Sequence, residues 1–104
     1  MHLKSELARI VRQIIEKYDP QDIYVFGSCA KGVIHQDSDI DLCLIVDVVN
    51  KREFKRRLHI EIDYDVDLDV VVYTPEEWEK YKDDPARFAN VIYREGESLI
   101  GRYH

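Results

Sequence analysis

Along the first stretch of the chain Leu3, Leu7, Ile10, Val11, Ile14, Ile15 and Tyr18 recur every three or four residues. That spacing is the apolar stripe of an amphipathic helix. Asp19 and Pro20 stop it. Ile23 to Phe26, β-branched and aromatic and followed at once by Gly27, reads as a short buried strand running into a turn. After a polar loop a second apolar run, Ile40 to Val46, has the same character, and Val66 to Tyr73 is the clearest strand pattern in the chain. Between these two runs Phe54, Leu58 and Ile62 fall at helical spacing. Thr74, Pro75 and Glu77 predict a helix start with a capping box. Asp84 and Pro85 predict another, with Phe88, Val91 and Ile92 as its apolar face and Gly96 as its stop. The order helix, strand, strand, helix, strand, helix, helix predicts an α/β or α+β fold, a small mixed sheet flanked by helices.

Composition narrows the function classes. At 104 residues there is room for one domain, expected to span 1–104, and for one site. Apolar residues at 45% and charged residues at 35% describe a globular protein. No apolar run is long enough to cross a bilayer, and the charged N-terminal stretch is not a signal peptide, so the expectation is a cytoplasmic protein without a membrane. A net charge of -6 argues against direct binding of nucleic acid through many phosphate contacts. The basic run Lys51 to Arg57 reads as a solvated helix face. Cys29 and Cys43 lack metal-ligand spacing, and Cys43 reads as a buried thiol.

The chemistry lies in the carboxylates. Alternation puts Asp39 and Asp41 on one face of the second strand and Ile40, Leu42 and Leu44 on the other. Same-face neighbours stand roughly 6.5–7 Å apart, close enough to share a hard cation and to repel each other without one. The third strand repeats the arrangement with Asp67 and Asp69. If the intervening helix is a crossover, the two strands are parallel and a third carboxylate joins the first two. Such a set suits Mg²⁺, which prefers oxygen ligands completed by substrate phosphates. Gly27 lets the backbone approach a ligand, Ser28 offers a hydroxyl and an N–H, and Lys31 lies one helical turn further on. Together these residues point to a nucleoside triphosphate with magnesium. Asp63 and Asp65 read as surface or turn residues.

The segment "FGSCAKGVIHQDSDIDL" resembles the signature of the minimal nucleotidyltransferases, a branch of the DNA polymerase beta-like superfamily: Gly-Ser, ten residues, then Asp-x-Asp. "VDLDVVVYTPEEW" resembles that family's third-aspartate strand and the helix after it. The resemblance implies the polymerase beta-like nucleotidyltransferase fold and two magnesium ions held by Asp39, Asp41 and a third carboxylate. Asp69 is first choice for the third and Asp67 its rival. It also implies ATP as donor, with Gly27 and Ser28 on its phosphates, and the release of pyrophosphate. Where many relatives carry two basic residues after Gly-Ser, this chain has Cys29 and Lys31.

Three functions compete. One is transfer of AMP to a hydroxyl, which the resemblance places on a tyrosine of a HEPN-type helical toxin, making this chain the antitoxin of a toxin-antitoxin pair. Another is an antitoxin that works by contact alone. The third modifies a small molecule of the aminoglycoside type and needs an acceptor pocket completed by a second subunit of a homo-oligomer. Trp78, Tyr81, Phe88 and Tyr93 are candidates for a partner surface wherever they do not face the core, and Trp78 is the first to examine.

Overall fold

The computed structural model describes residues 3–27 and 39–103. In chain order the elements are α1 (Leu3–Tyr18), β1 (Asp22–Phe26), β2 (Ile40–Ile45), α2 (Lys51–Glu61), β3 (Leu68–Tyr73), α3 (Pro75–Tyr81), α4 (Phe88–Glu95), β4 (Glu97–Ser98) and α5 (Ile100–Tyr103). The strands form one mixed sheet in the order β3-β2-β1-β4. β1 runs antiparallel to β2 and to β4, whereas β2 and β3 are parallel, as a helical crossover through α2 requires.

Helix ends follow local chemistry. α1 stops where Asp19 takes φ 45°, the left-handed conformation common just past a helix end, and its N–H donates to the Ile15 carbonyl at 3.1 Å. Asn50 caps α2 through its side-chain oxygen, which accepts from the Glu53 N–H at 3.0 Å. At α3 the capping box is complete: Thr74 Oγ1 accepts from the Glu77 N–H at 3.2 Å, and Glu77 Oε1 accepts from the Thr74 N–H at 2.9 Å.

The next expected helix start differs. The Asp84 carboxylate accepts from the Ala86 N–H at 3.0 Å and its carbonyl from the Arg87 N–H at 2.9 Å, so Asp84-Pro85 builds a turn and α4 begins at Phe88. The buried face of α4 is then Ala89, Asn90 and Ile92, and Phe88 is left 51% exposed. β4 and α5 have no counterpart in the hydrophobic pattern. β4 exists because the tail after α4 folds back onto β1, pairing Ser98 with Tyr24 and Glu97 with Val25 and burying Leu99.

The sheet separates two cores. On one face Leu7, Ile10, Val11 and Ile14 of α1 and Phe54 and Leu58 of α2 pack on Ile23, Val25, Ile40, Leu42, Leu44, Val70 and Val72. On the other, Trp78 of α3 and Ala89 and Ile92 of α4 pack on Tyr24, Cys43 and Ile45. Trp78 is therefore a core residue rather than a partner surface, with Tyr24, Tyr73 and Tyr93 around its ring at 5.1–5.9 Å. On β2 the helices of the second layer pack at the Cys43–Ile45 end, and Phe88 of α4 reaches Phe26 on β1. The opposite end of that face carries Asp41 and Asp69.

Candidate functional site

Strand parity and register together build the acidic end. β2 reads buried at Ile40, half-buried at Asp41, then buried from Leu42 to Ile45, while β3 alternates buried Leu68, exposed Asp69, buried Val70. In the parallel β2–β3 ladder Asp41 is the register partner of Asp69. Neighbouring strands lie about 4.8 Å apart, so two carboxylates of one face stand abreast. Asp39, exposed, precedes β2 by one residue. Burial first, then the charges of Asp69 and Asp39, raise the Asp41 carboxyl above its ordinary value. The three acidic groups thus share one electrostatic environment.

Asp67, the rival to Asp69, is exposed and lies outside β3, and its carbonyl accepts from the Ile40 N–H at 2.9 Å.

Gly27 closes the site from β1. Phe26 is the register partner of Asp41, and the chain leaves β1 at Gly27 with φ 75°. A Cβ there would stand 2.5 Å from Asp41 Oδ2 and 3.5 Å from its Cγ. Only glycine permits both the backbone conformation and the carboxylate in its present position. The sequence signalled the turn but gave no sign of this contact. Ser28, Lys31 and Cys29 lie outside the described residues.

Behind β3 a polar clamp holds the segment that delivers it. Glu6 of α1 is 1% exposed, and its Oε1 accepts from Arg9 Nη2 at 2.7 Å and from the Asp65 N–H at 2.9 Å, while Oε2 has no hydrogen-bond partner among the described residues. Gln13 reads Asp63 in both directions, Nε2 donating to its carbonyl and Oε1 accepting from its N–H, each at 2.8 Å. Arg9 reaches Asp63 Oδ2 at 2.7 Å and Asp65 Oδ2 at 3.3 Å. Asp63 and Asp65 are surface residues, as their sequence context suggests, but they also tie α1 to the approach of β3. An acid on the buried side of α1 has no signal in the apolar pattern.

The donor chemistry suits a hard divalent cation: acceptor-only carboxylates on adjacent strands, one of them destabilised by burial and then by the charges of the others. Among the described residues, no group of three or more His, Cys, Asp or Glu side chains already stands in a metal-holding cluster. Mutual repulsion is the physical reason for like charges to keep apart without a counter-ion. Elsewhere, Cys43 is buried and free, and burial pushes its thiol up to about 12. That makes it a packing residue. No described helix is long and apolar enough to cross a membrane.

Comparison with known proteins agrees with this geometry. Residues 5–83 match the nucleotidyltransferase domain family, a span containing most of α1, strands β1, β2 and β3 and the acidic end of the sheet. The chain is also 33% identical over 69 residues to the protein adenylyltransferase MntA of Shewanella oneidensis, an alignment covering 62% of this chain and 48% of that protein. The chain thus spans about half the length of the curated relative it matches. With the family match covering most of its length and the mixed sheet bringing Gly27, Asp41 and Asp69 together, the chain belongs to the nucleotidyltransferase domain family.

Proposed function

We propose that this chain transfers AMP from ATP to a tyrosine hydroxyl of a partner protein, a HEPN-type helical toxin, and so acts as its antitoxin. The observation that carries the reading is Asp41 abreast of Asp69 on parallel strands, with the Asp39 charge beside them and Gly27 against the Asp41 carboxylate. The similarity to a protein adenylyltransferase supports AMP as the transferred group and a protein as the acceptor.

Asp39, Asp41 and Asp69 would hold the two magnesium ions. When bound, these ions supply positive charge to the triphosphate and to the oxygens that attack and leave. The protein's own part is positioning. Gly27, at the turn after β1, and Ser28 would take the β and γ phosphates, and Lys31 would add positive charge to them. Asp69, carried on strand β3, takes the acceptor proton.

 

In the reaction a bond forms between the acceptor oxygen and the α-phosphorus, the bond from that phosphorus to the bridging oxygen breaks, and pyrophosphate leaves.

The test is transfer from α-phosphate-labelled ATP, with magnesium, to a HEPN-type partner co-purified with this chain, read as label and as a mass gain of AMP units on a tyrosine. An unmodified partner that is nonetheless silenced would overturn transfer in favour of contact alone. Label appearing only on an aminoglycoside would overturn the protein acceptor.

A further inference from the structure

β3 is the outermost strand of the sheet, and among the described residues no strand pairs with its outer edge. The carbonyls of Asp67 and Tyr73 accept from the Ile40 and Val46 N–H groups on the β2 side, at 2.9 and 3.0 Å. Residues of the same parity therefore turn their amides to β2, and Leu68, Val70 and Val72 turn theirs outward. Beside this edge lies a groove of about 370 Å³ lined by Lys51, Arg52, Lys55, Val71 and Val72. Lys51 is engaged by Glu77 at 2.6 Å, whereas Arg52 and Lys55 have no ion pair among the described residues. Unpaired cations are notable on a chain of net charge -6.

We infer that the outer edge of β3 is the docking site for an extended acidic segment of the acceptor protein, added to the sheet as a further strand. The inference rests on the proposed transfer to a protein hydroxyl. An added strand lies about 4.8 Å from β3, which brings one of its side chains abreast of Asp69 on the acidic face. That position is where a tyrosine meets the site. α2 packs on the other face, with Val70 and Val72, so carboxylates one and three places from the tyrosine turn toward Arg52 and Lys55. Phosphates can accept from the outward N–H groups but have nothing to donate to the outward carbonyls, whereas a peptide strand offers donors and acceptors at the spacing of this edge. Two copies of this chain joined at β3 would set one basic groove beside another.

The probe is a capped seven-residue peptide with one tyrosine and glutamates one and three places from it, prepared in both chain directions and titrated into the intact chain without nucleotide or metal. Shifts of the Leu68, Val70 and Val72 amide resonances, with binding weakened about tenfold or more in an Arg52→Glu, Lys55→Glu variant, are expected. A peptide N-methylated at alternate amides should not bind the wild-type chain, which tests the strand pairing without altering the protein. Equal binding of a lysine-for-glutamate peptide, shifts elsewhere, self-association through β3, or a preference for single-stranded RNA would overturn the docking site. Binding without later transfer of AMP to the peptide would uphold the docking site and count against the proposed activity.

Discussion

Replacing Gly27 with alanine perturbs the site through one methyl group. The backbone at Gly27 has φ 75°, and holding a residue with a Cβ in that region costs about 1–2 kcal/mol. The new Cβ also meets Asp41 Oδ2 at 2.5 Å, a contact that the carboxylate relieves only by rotating away. An off-rotamer side chain adds about 0.5–1.5 kcal/mol. The sum is about 1.5–3.5 kcal/mol, which at roughly 4–8 °C per kcal/mol lowers the melting temperature by about 6–28 °C.

Thermal unfolding followed by circular dichroism in metal-free buffer reads the loss. Truncating Asp41 to alanine separates its two parts. That change removes Oδ2 and Cγ and leaves the Asp41 Cβ at an ordinary 3.8 Å, so Gly27→Ala in the truncated background should cost only the backbone part. In the wild-type background the displaced carboxylate should also lower AMP transfer, by about a hundredfold if it moves by an ångström. Unchanged melting, or the same loss in both backgrounds, would refute the claim that Gly27 is fitted to Asp41.

Three further outcomes are expected. Asp41→Asn should raise the melting temperature of the metal-free protein at neutral pH, because the folded state holds that carboxyl above its unfolded value and so disfavours its charge. As pH falls through the carboxylate range the wild-type group protonates and the advantage should vanish; an advantage that persisted in acid would contradict the electrostatic cause. Asp69→Asn should abolish transfer while Asp67→Asn retains it, measured with labelled ATP, and the reverse would reassign the third carboxylate. Trp78→Ala should cost about 3–5 kcal/mol in denaturant unfolding, since the ring is 3% exposed and packed among tyrosines; a loss below 1 kcal/mol would contradict its place in the core.

The layout of the main elements was legible because local signals and tertiary packing agree. The α1 stripe, the Thr74 capping box and the β-branched runs each point to the element that forms. What escaped was set by contacts distant in sequence. Glu97 and Ser98 are exposed and carry no strand pattern, and they form β4 only because β1 offers an edge. Asp84 has the residue type of a helix cap, but its carboxylate closes a turn instead. Glu6 belongs to a polar position by type and is buried because Arg9 and the Asp65 N–H reach it.

The carboxylates show the same division. Alternation assigns Asp67 and Asp69 to one face and cannot rank them. Register separates them by position, setting Asp69 beside Asp41 and leaving Asp67 before the strand. The Gly27 contact with Asp41 depends on the antiparallel pairing of β1 with β2, which no local pattern encodes.

The most direct test of the central claim is calorimetric titration of ATP with and without Mg²⁺ into the wild-type chain and into an Asp41→Asn, Asp69→Asn variant. The account predicts magnesium-dependent binding that the variant loses while keeping its fold. Magnesium-dependent binding of equal strength in the variant would contradict it, because the nucleotide would then be held without the two carboxylates that the sheet sets side by side.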